Sequence, residues 1–183
     1  MIIKLLLVFL CFNNQLNKDE KYYQQTTNEN NDIKKNIQVK ETIKINKPTY
    51  KEMPIGFLII ENISLNNPIY SKNSKLNNIE QNVTIIKDSS NLEDNNSLFI
   101  LAAHSGTGKI AYFNNLNKLK INDEIKLIMY KKEYIFIITN IFEQDKNGHI
   151  NIVKNNKSQL ILTTCSTNNK NKQLIIESTK KEF

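Results

Sequence analysis

The sequence predicts an all-β fold, a barrel or a sandwich, and three observations point there. Short apolar runs rich in Ile, Leu, Phe and Tyr recur between polar stretches dominated by Asn, Lys and Ser. Apolar residues at helical spacing occur in only two brief segments. The part of the 183-residue chain that carries these runs is long enough to bury one real core.

The chain opens with Met1-Ile2-Ile3-Lys4-Leu5-Leu6-Leu7-Val8-Phe9-Leu10-Cys11-Phe12, an early Lys followed by a short apolar core. A membrane-spanning helix needs about 20 apolar residues, so residues 1–12 read as an export signal or a short membrane anchor. Cys11 adds lipidation as an option, against which stands the bulk of Leu10 where lipoprotein sites want a small residue. Each option puts the remainder outside the cytoplasmic membrane. Residues 13–50 turn to Asn, Lys, Gln, Thr and Glu with only scattered Ile. Too little apolar surface is present there to offset chain entropy, so this segment reads as a polar, partly disordered tether.

Residues 51–183 form the expected domain. Thr84-Ile85-Ile86 reads as a strand, and Ser74–Val83 before it as a short helix. Ser97–Ala103 is a strand that ends at His104 and opens into Ser105-Gly106-Thr107-Gly108. Ile110–Leu119 is a second short helix, because Tyr112, Phe113, Leu116 and Leu119 share one face. Ile125–Met129 and Tyr134–Phe142 are strands, and His149, after Asn147-Gly148, reads as an exposed turn residue. The run Gln159–Cys165 is a buried or half-buried strand that stops at a thiol, and Leu174 begins the last strand.

Cys165 and His104 are the candidate chemistry. Each follows an apolar run and precedes a polar loop, and no other cysteine lies in the folded part. A thiol acts as a nucleophile only as the thiolate, so it needs a base or a lowered pKa. A lone Cys is commonly a small buried hydrophobe, and a lone His a structural residue. One of each, both at strand ends, is the arrangement that Cys/His acyl transfer requires.

These segments, taken together, resemble a sortase, the cysteine transpeptidase that anchors proteins to the bacterial surface. The likeness runs from Met53-Pro54-Ile55-Gly56-Phe57 and Asn67-Pro68-Ile69-Tyr70 through Ala102-Ala103-His104-Ser105-Gly106 and Tyr112–Leu119. It continues with Ile121-Asn122-Asp123-Glu124-Ile125, a variant of a Gly-Asp-x-Ile turn, and Leu162-Thr163-Thr164-Cys165. The resemblance implies a closed eight-stranded β-barrel with one or two short helices. It also implies cleavage of a Leu-Pro-x-Thr-Gly-like sorting motif, with Cys165 as nucleophile and His104 as general acid/base. The partners implied are surface proteins bearing that motif and an amine acceptor, such as a cell-wall precursor or a pilin lysine, at the extracytoplasmic face of the membrane. A catalytically weak or inactive sortase-like binding module is the alternative.

The chain departs from the family at the third catalytic position. Sortases carry an Arg at the start of the last strand, and this protein has no Arg. Gln173 takes that position and can donate a hydrogen bond but no charge. Lys172 has the charge, yet neighbouring strand residues face opposite sides, so it points inward only if the strand starts late. Thr164 matches a family position that contacts the substrate backbone; its β propensity explains it equally well. No cofactor is implied, and one His and one Cys fall short of a metal site. Glu143 and Asp145 are too few for the calcium that some sortases use. The net charge of +7 does not indicate nucleic-acid binding, because acidic residues are interspersed and no aromatic platform accompanies the lysines. General attraction to anionic head groups or wall polymers, and membrane association, fit it.

Overall fold

The computed structural model describes residues 2–6 and 52–182. Strand β1 is Ile2–Leu6, followed by β2 (Gly56–Ile60), β3 (Leu65–Ile69), β4 (Thr84–Ile85) and β5 (Leu98–Ala102). Then come β6 (Glu124–Met129), β7 (Lys132–Asp145), β8 (His149–Val153), β9 (Gln159–Cys165) and β10 (Lys172–Lys180). Strands β2 to β7, β9 and β10 form one eight-stranded sheet in the order β3-β2-β6-β7-β10-β9-β5-β4, curled into a nearly closed barrel. All neighbours are antiparallel except β5 and β9, which run parallel from Leu98↔Gln159 to Ala102↔Thr163. A separate two-stranded sheet pairs β1 with β8, Ile2 opposite Val153.

Alternation along the strands divides the apolar residues between two faces. Leu58, Phe99, Leu101, Leu127, Phe136, Leu160, Leu162, Leu174 and Ile176 belong to the main core. Leu98, Ile100, Ile161 and Ile175, on the other face of the same strands, pack with Ile150 and Ile152 of β8. The segment carrying β8 therefore covers the outside of β5, β9 and β10. That is why Gln159–Cys165 reads as an unbroken apolar run and not an alternating one: the strand is buried on both faces until its last residue.

Both predicted α-helices are absent. Residues 74–83 form consecutive turns, in which Asn and Ser side chains take the backbone bonds a helix would have used. Over Ile110–Leu119 the apolar residues are buried as expected, but the N–H of Phe113 donates to the His104 carbonyl at 3.0 Å, away from the helical partner. Only a 3₁₀ turn, Leu116–Lys118, forms there, with a second at Glu61–Ile63. Strand β7 is longer than its apolar run, and His149 begins a strand instead of lying in an exposed turn. Of the expected export segment, the described part is Ile2–Leu6. Its remainder, Cys11 and the tether 13–50 lie outside the described residues. No helix among the described residues is long and apolar enough to cross a membrane.

Candidate active site

Strands β5 and β9 run side by side and end together. Ala102 is in register with Thr163, and the Ala103 N–H reaches the Thr163 carbonyl at 3.4 Å. β5 ends at Ala102, and His104 follows two residues beyond it, as Cys165 lies two residues beyond Thr163 on β9. On the other side of β9, antiparallel β10 sets Gln173 directly opposite Cys165. Cys165 and Gln173 thus pair across β9 and β10, and His104 lies just past the end of β5, the other neighbour of β9.

The backbone around His104 is tied to β9 on both sides. The Thr164 hydroxyl, 2% exposed, donates to the Ala103 carbonyl at 2.7 Å. The Ser105 hydroxyl donates to the Cys165 carbonyl at 2.6 Å. Gly106 N–H is held by the Asn114 side chain at 3.1 Å, and Phe113, buried in the core, anchors the far end of the loop. The His104 ring itself lies 3.2 Å, through Nε2, from Glu80 Oε1. Glu80 was not singled out in the sequence, which offers no signal for a carboxylate presented from a loop 24 residues away.

Gln173 is 3% exposed, and its Nε2 donates to the His149 carbonyl at 2.8 Å. Gln144, opposite Gln173 on β7, donates to the same carbonyl and accepts from the Asn151 N–H at 3.0 Å. A primary amide has two N–H donors, so the bond to His149 leaves Gln173 a second. Lys172 faces the other side of the sheet, paired with Asp145, and closes the β9–β10 turn through its backbone. The Ser166 hydroxyl organises that turn: it donates to Glu143 at 2.6 Å and accepts from the N–H groups of Asn168 and Asn169 at 3.0 and 3.1 Å. Lys146 joins from below by donating to the Lys170 carbonyl at 2.6 Å, and burial lowers its pKa.

Cys165 is half-buried and stands in the disulfide state. The sequence reading treated it as a thiol without a partner in the folded part. Acyl transfer requires its reduced form. Beside it, Thr163 is fully buried and its hydroxyl makes no hydrogen bond; the His149 Nδ1 is likewise buried without one. Among the described residues, no group of three or more His, Cys, Asp or Glu side chains is placed to hold a metal ion. A hollow of about 420 Å³ lies at the opposite end of the barrel, among Ile55, Lys72, Glu93, Phe99, Tyr130 and Tyr134. It is remote from Cys165, and the reactive geometry sits at the strand ends.

The nearly closed eight-stranded barrel with few helical turns is the fold of the sortase class of proteins. The sortase domain model matches residues 58–181, and the chain belongs to the sortase family. Among solved structures, sortase C1 from Streptococcus agalactiae superposes with a TM-score of 0.60 at 18% identity, over 74% of this chain and 71% of that one. The Group B Streptococcus Pilus Island 1 sortase C2 gives 0.62 at 21% identity over 73% and 77%. A lid mutant of sortase A from Corynebacterium diphtheriae gives 0.60 at 20% identity over 74% and 75%. No curated protein matches the sequence. Sortases as a family are cysteine transpeptidases that act on sorting-motif-bearing proteins at the bacterial cell surface.

Proposed function

We propose that this chain is a working sortase-type cysteine transpeptidase, with reduced Cys165 as nucleophile and His104 as general acid/base. The Cys165 sulfur attacks the scissile carbonyl of a Leu-Pro-x-Thr-Gly-like motif, and the carbonyl electrons move to oxygen. Collapse of that adduct expels the amine, which takes its proton from the His104 imidazolium and leaves a thioester on Cys165. An acceptor amine, from a cell-wall precursor or a pilin lysine, then attacks the thioester; His104 receives its proton and the thiolate is released. The second N–H of Gln173 and backbone N–H groups beside Cys165 are the donors for the oxyanion. The face that Lys172 takes on β10, opposite to that of Gln173, favours Gln173 for that role, and the bond from the Thr164 hydroxyl to the Ala103 carbonyl favours a part in the backbone frame for Thr164.

The observation that supports this reading is the convergence of three segments: Gln173 pairs with Cys165, and the residues on either side of His104 are tied to β9 by the bonds from Thr164 to Ala103 and from Ser105 to Cys165. The experiment is intact-mass analysis of the reduced protein after incubation with sorting-motif peptides. An acyl adduct on Cys165, absent from Cys165→Ala, is expected; no adduct with any motif would sink the reading. The second reading, a weak or inactive surface binding module, is favoured by one observation, the uncharged Gln173 held by the His149 carbonyl. It predicts a Cys165 that, once reduced, is alkylated no faster than a model thiol and is indifferent to His104→Ala. Both readings put the domain at the extracytoplasmic face of the membrane or the cell surface.

A further inference from the structure

We propose that Glu80 is a positioning residue for His104; this rests on the transpeptidase reading above. The carboxylate Oε1 lies 3.2 Å from His104 Nε2. A carboxylate only accepts, so the contact is a hydrogen bond when Nε2 carries the proton. In the neutral ring that leaves Nδ1 as the unprotonated nitrogen, the one available to receive a proton from a thiol. Once the ring is doubly protonated, the same carboxylate faces a cation, and the geometry need not change during the cycle.

The loop that presents Glu80 is built rather than slack. Asn77 clamps β4 in both directions, donating to the Ile85 carbonyl at 3.1 Å and accepting from the Ile85 N–H at 2.7 Å. Asn82 donates to the Leu76 carbonyl at 3.0 Å, and the Glu80 N–H is taken by Asn78 Oδ1 at 3.0 Å. Next to the carboxylate, the Gln81 carbonyl accepts from the Tyr112 hydroxyl at 3.0 Å. Tyr112 belongs to the loop that follows His104, so the carboxylate and the imidazole are held in one frame from both sides. None of these bonds involves the Glu80 carboxylate, which is left to face the His104 imidazole.

Glu80 is 65% exposed while His104 is 19% exposed, so solvent screens the charge. The contribution is one of orientation. A buried orienting Asp in a serine-protease triad is worth about 10⁴-fold in rate, and an exposed one on this loop should be worth about tenfold, the lower end for residues that orient a reactive imidazole.

The test uses the reduced full chain. The wild-type protein should show a His104 Nε2–H proton resonance protected from solvent exchange. Glu80→Ala should abolish that protection and lower kcat about tenfold with KM unchanged. Glu80→Gln, whose amide oxygen still accepts, should retain the resonance and most of the rate. An unprotected resonance in wild type, or protection and kcat untouched by Glu80→Ala, would overturn the proposal, as would an equal loss in Glu80→Gln and Glu80→Ala accompanied by a lower melting temperature. The resonance is read without turnover, so a chain that shows the Glu80-dependent signal yet forms no acyl-enzyme would refute the transpeptidase reading and not the contact.

Discussion

Thr164→Val should weaken the domain and the active site together. Valine keeps the β-branched shape that β9 favours, so strand propensity is not at issue. What is lost is the bond from the Thr164 hydroxyl to the Ala103 carbonyl, 2.7 Å long, between two residues that are 2% and 0% exposed. A typical hydrogen bond contributes about 1 kcal/mol net, and an orphaned buried acceptor costs about 1–3 kcal/mol. Burial of a methyl group in place of the hydroxyl returns part of that, up to about 0.8 kcal/mol. The net loss is about 1–2 kcal/mol, which for a domain of this size lowers Tm by about 4–7 °C. Urea unfolding of the reduced protein measures it directly, with an unchanged m-value as the check that the unfolded states match. Because Ala103 precedes His104, kcat should fall as well. Combination with Ser105→Ala, which removes the tie on the other side of His104, should be non-additive by about 0.5 kcal/mol or more. A Val variant within about 0.3 kcal/mol of wild type, at full activity, would refute the idea that this bond sets the His104 backbone.

Cys165→Ala should abolish the acyl adduct, and relative to the reduced wild type it should unfold at nearly the same urea concentration, since the half-exposed end of β9 packs little; intact mass and urea melts check both. Gln173→Ala should slow acylation more than Lys172→Ala, on the order of 10²-fold against near silence, because only Gln173 shares the face of Cys165; single-turnover rates decide it. Tyr130 and Lys131, at φ 50° and 68°, make the β6–β7 turn without a glycine, so Lys131→Gly should stabilise the domain by about 1 kcal/mol in thermal melts. Glu93, hydrogen-bonded by Lys132 and Tyr134, is held below the usual carboxylate range, so its contribution is present above the ordinary glutamate pKa and disappears as pH falls below it. Wild type should therefore lose a small margin over Glu93→Gln in acid unfolding, where no convergence of the two curves would contradict the linkage.

What the sequence made legible was local. Strands β5 and β9, and the two candidate residues at or just past their ends, are written in consecutive residues: an apolar run, a titratable side chain, a polar loop. Gln173 was found by counting back from the apolar Leu174-Ile175-Ile176. The two false helices have a physical cause. In 74–83 the Asn and Ser side chains outcompeted the helix for its own backbone groups, and in 110–119 a single long-range bond, Phe113 N–H to His104, redirected the chain. Glu80 and β8 were missed because their roles depend on packing between segments far apart in sequence. Nothing near Glu80 marks it as facing an imidazole, and the Asn-Gly before His149 signals a turn equally well before a strand or a loop.

The double burial of β9 explains why the chemistry sits where it does. A strand covered on one face by the barrel core and on the other by Ile150 and Ile152 cannot offer a side chain to a peptide anywhere along its length. Its terminal residue is the first that emerges, and Cys165 is accordingly half-buried while the six residues before it are buried. Three loops converge on that point from elsewhere in the chain: 71–83 with Glu80, 105–115 after His104, and 146–149 entering β8 with the carbonyl that holds Gln173. The second and third reach it through side-chain bonds to backbone, which fix position without adding charge, and the first through the Glu80 carboxylate at the His104 ring. Among the described residues, Gln173 and not a cation stands opposite Cys165. Under the proposed reading, in which Cys165, His104 and neutral donors are aligned, the rate should be more sensitive to the ties at Thr164, Ser105 and Asn77 than to ionic strength.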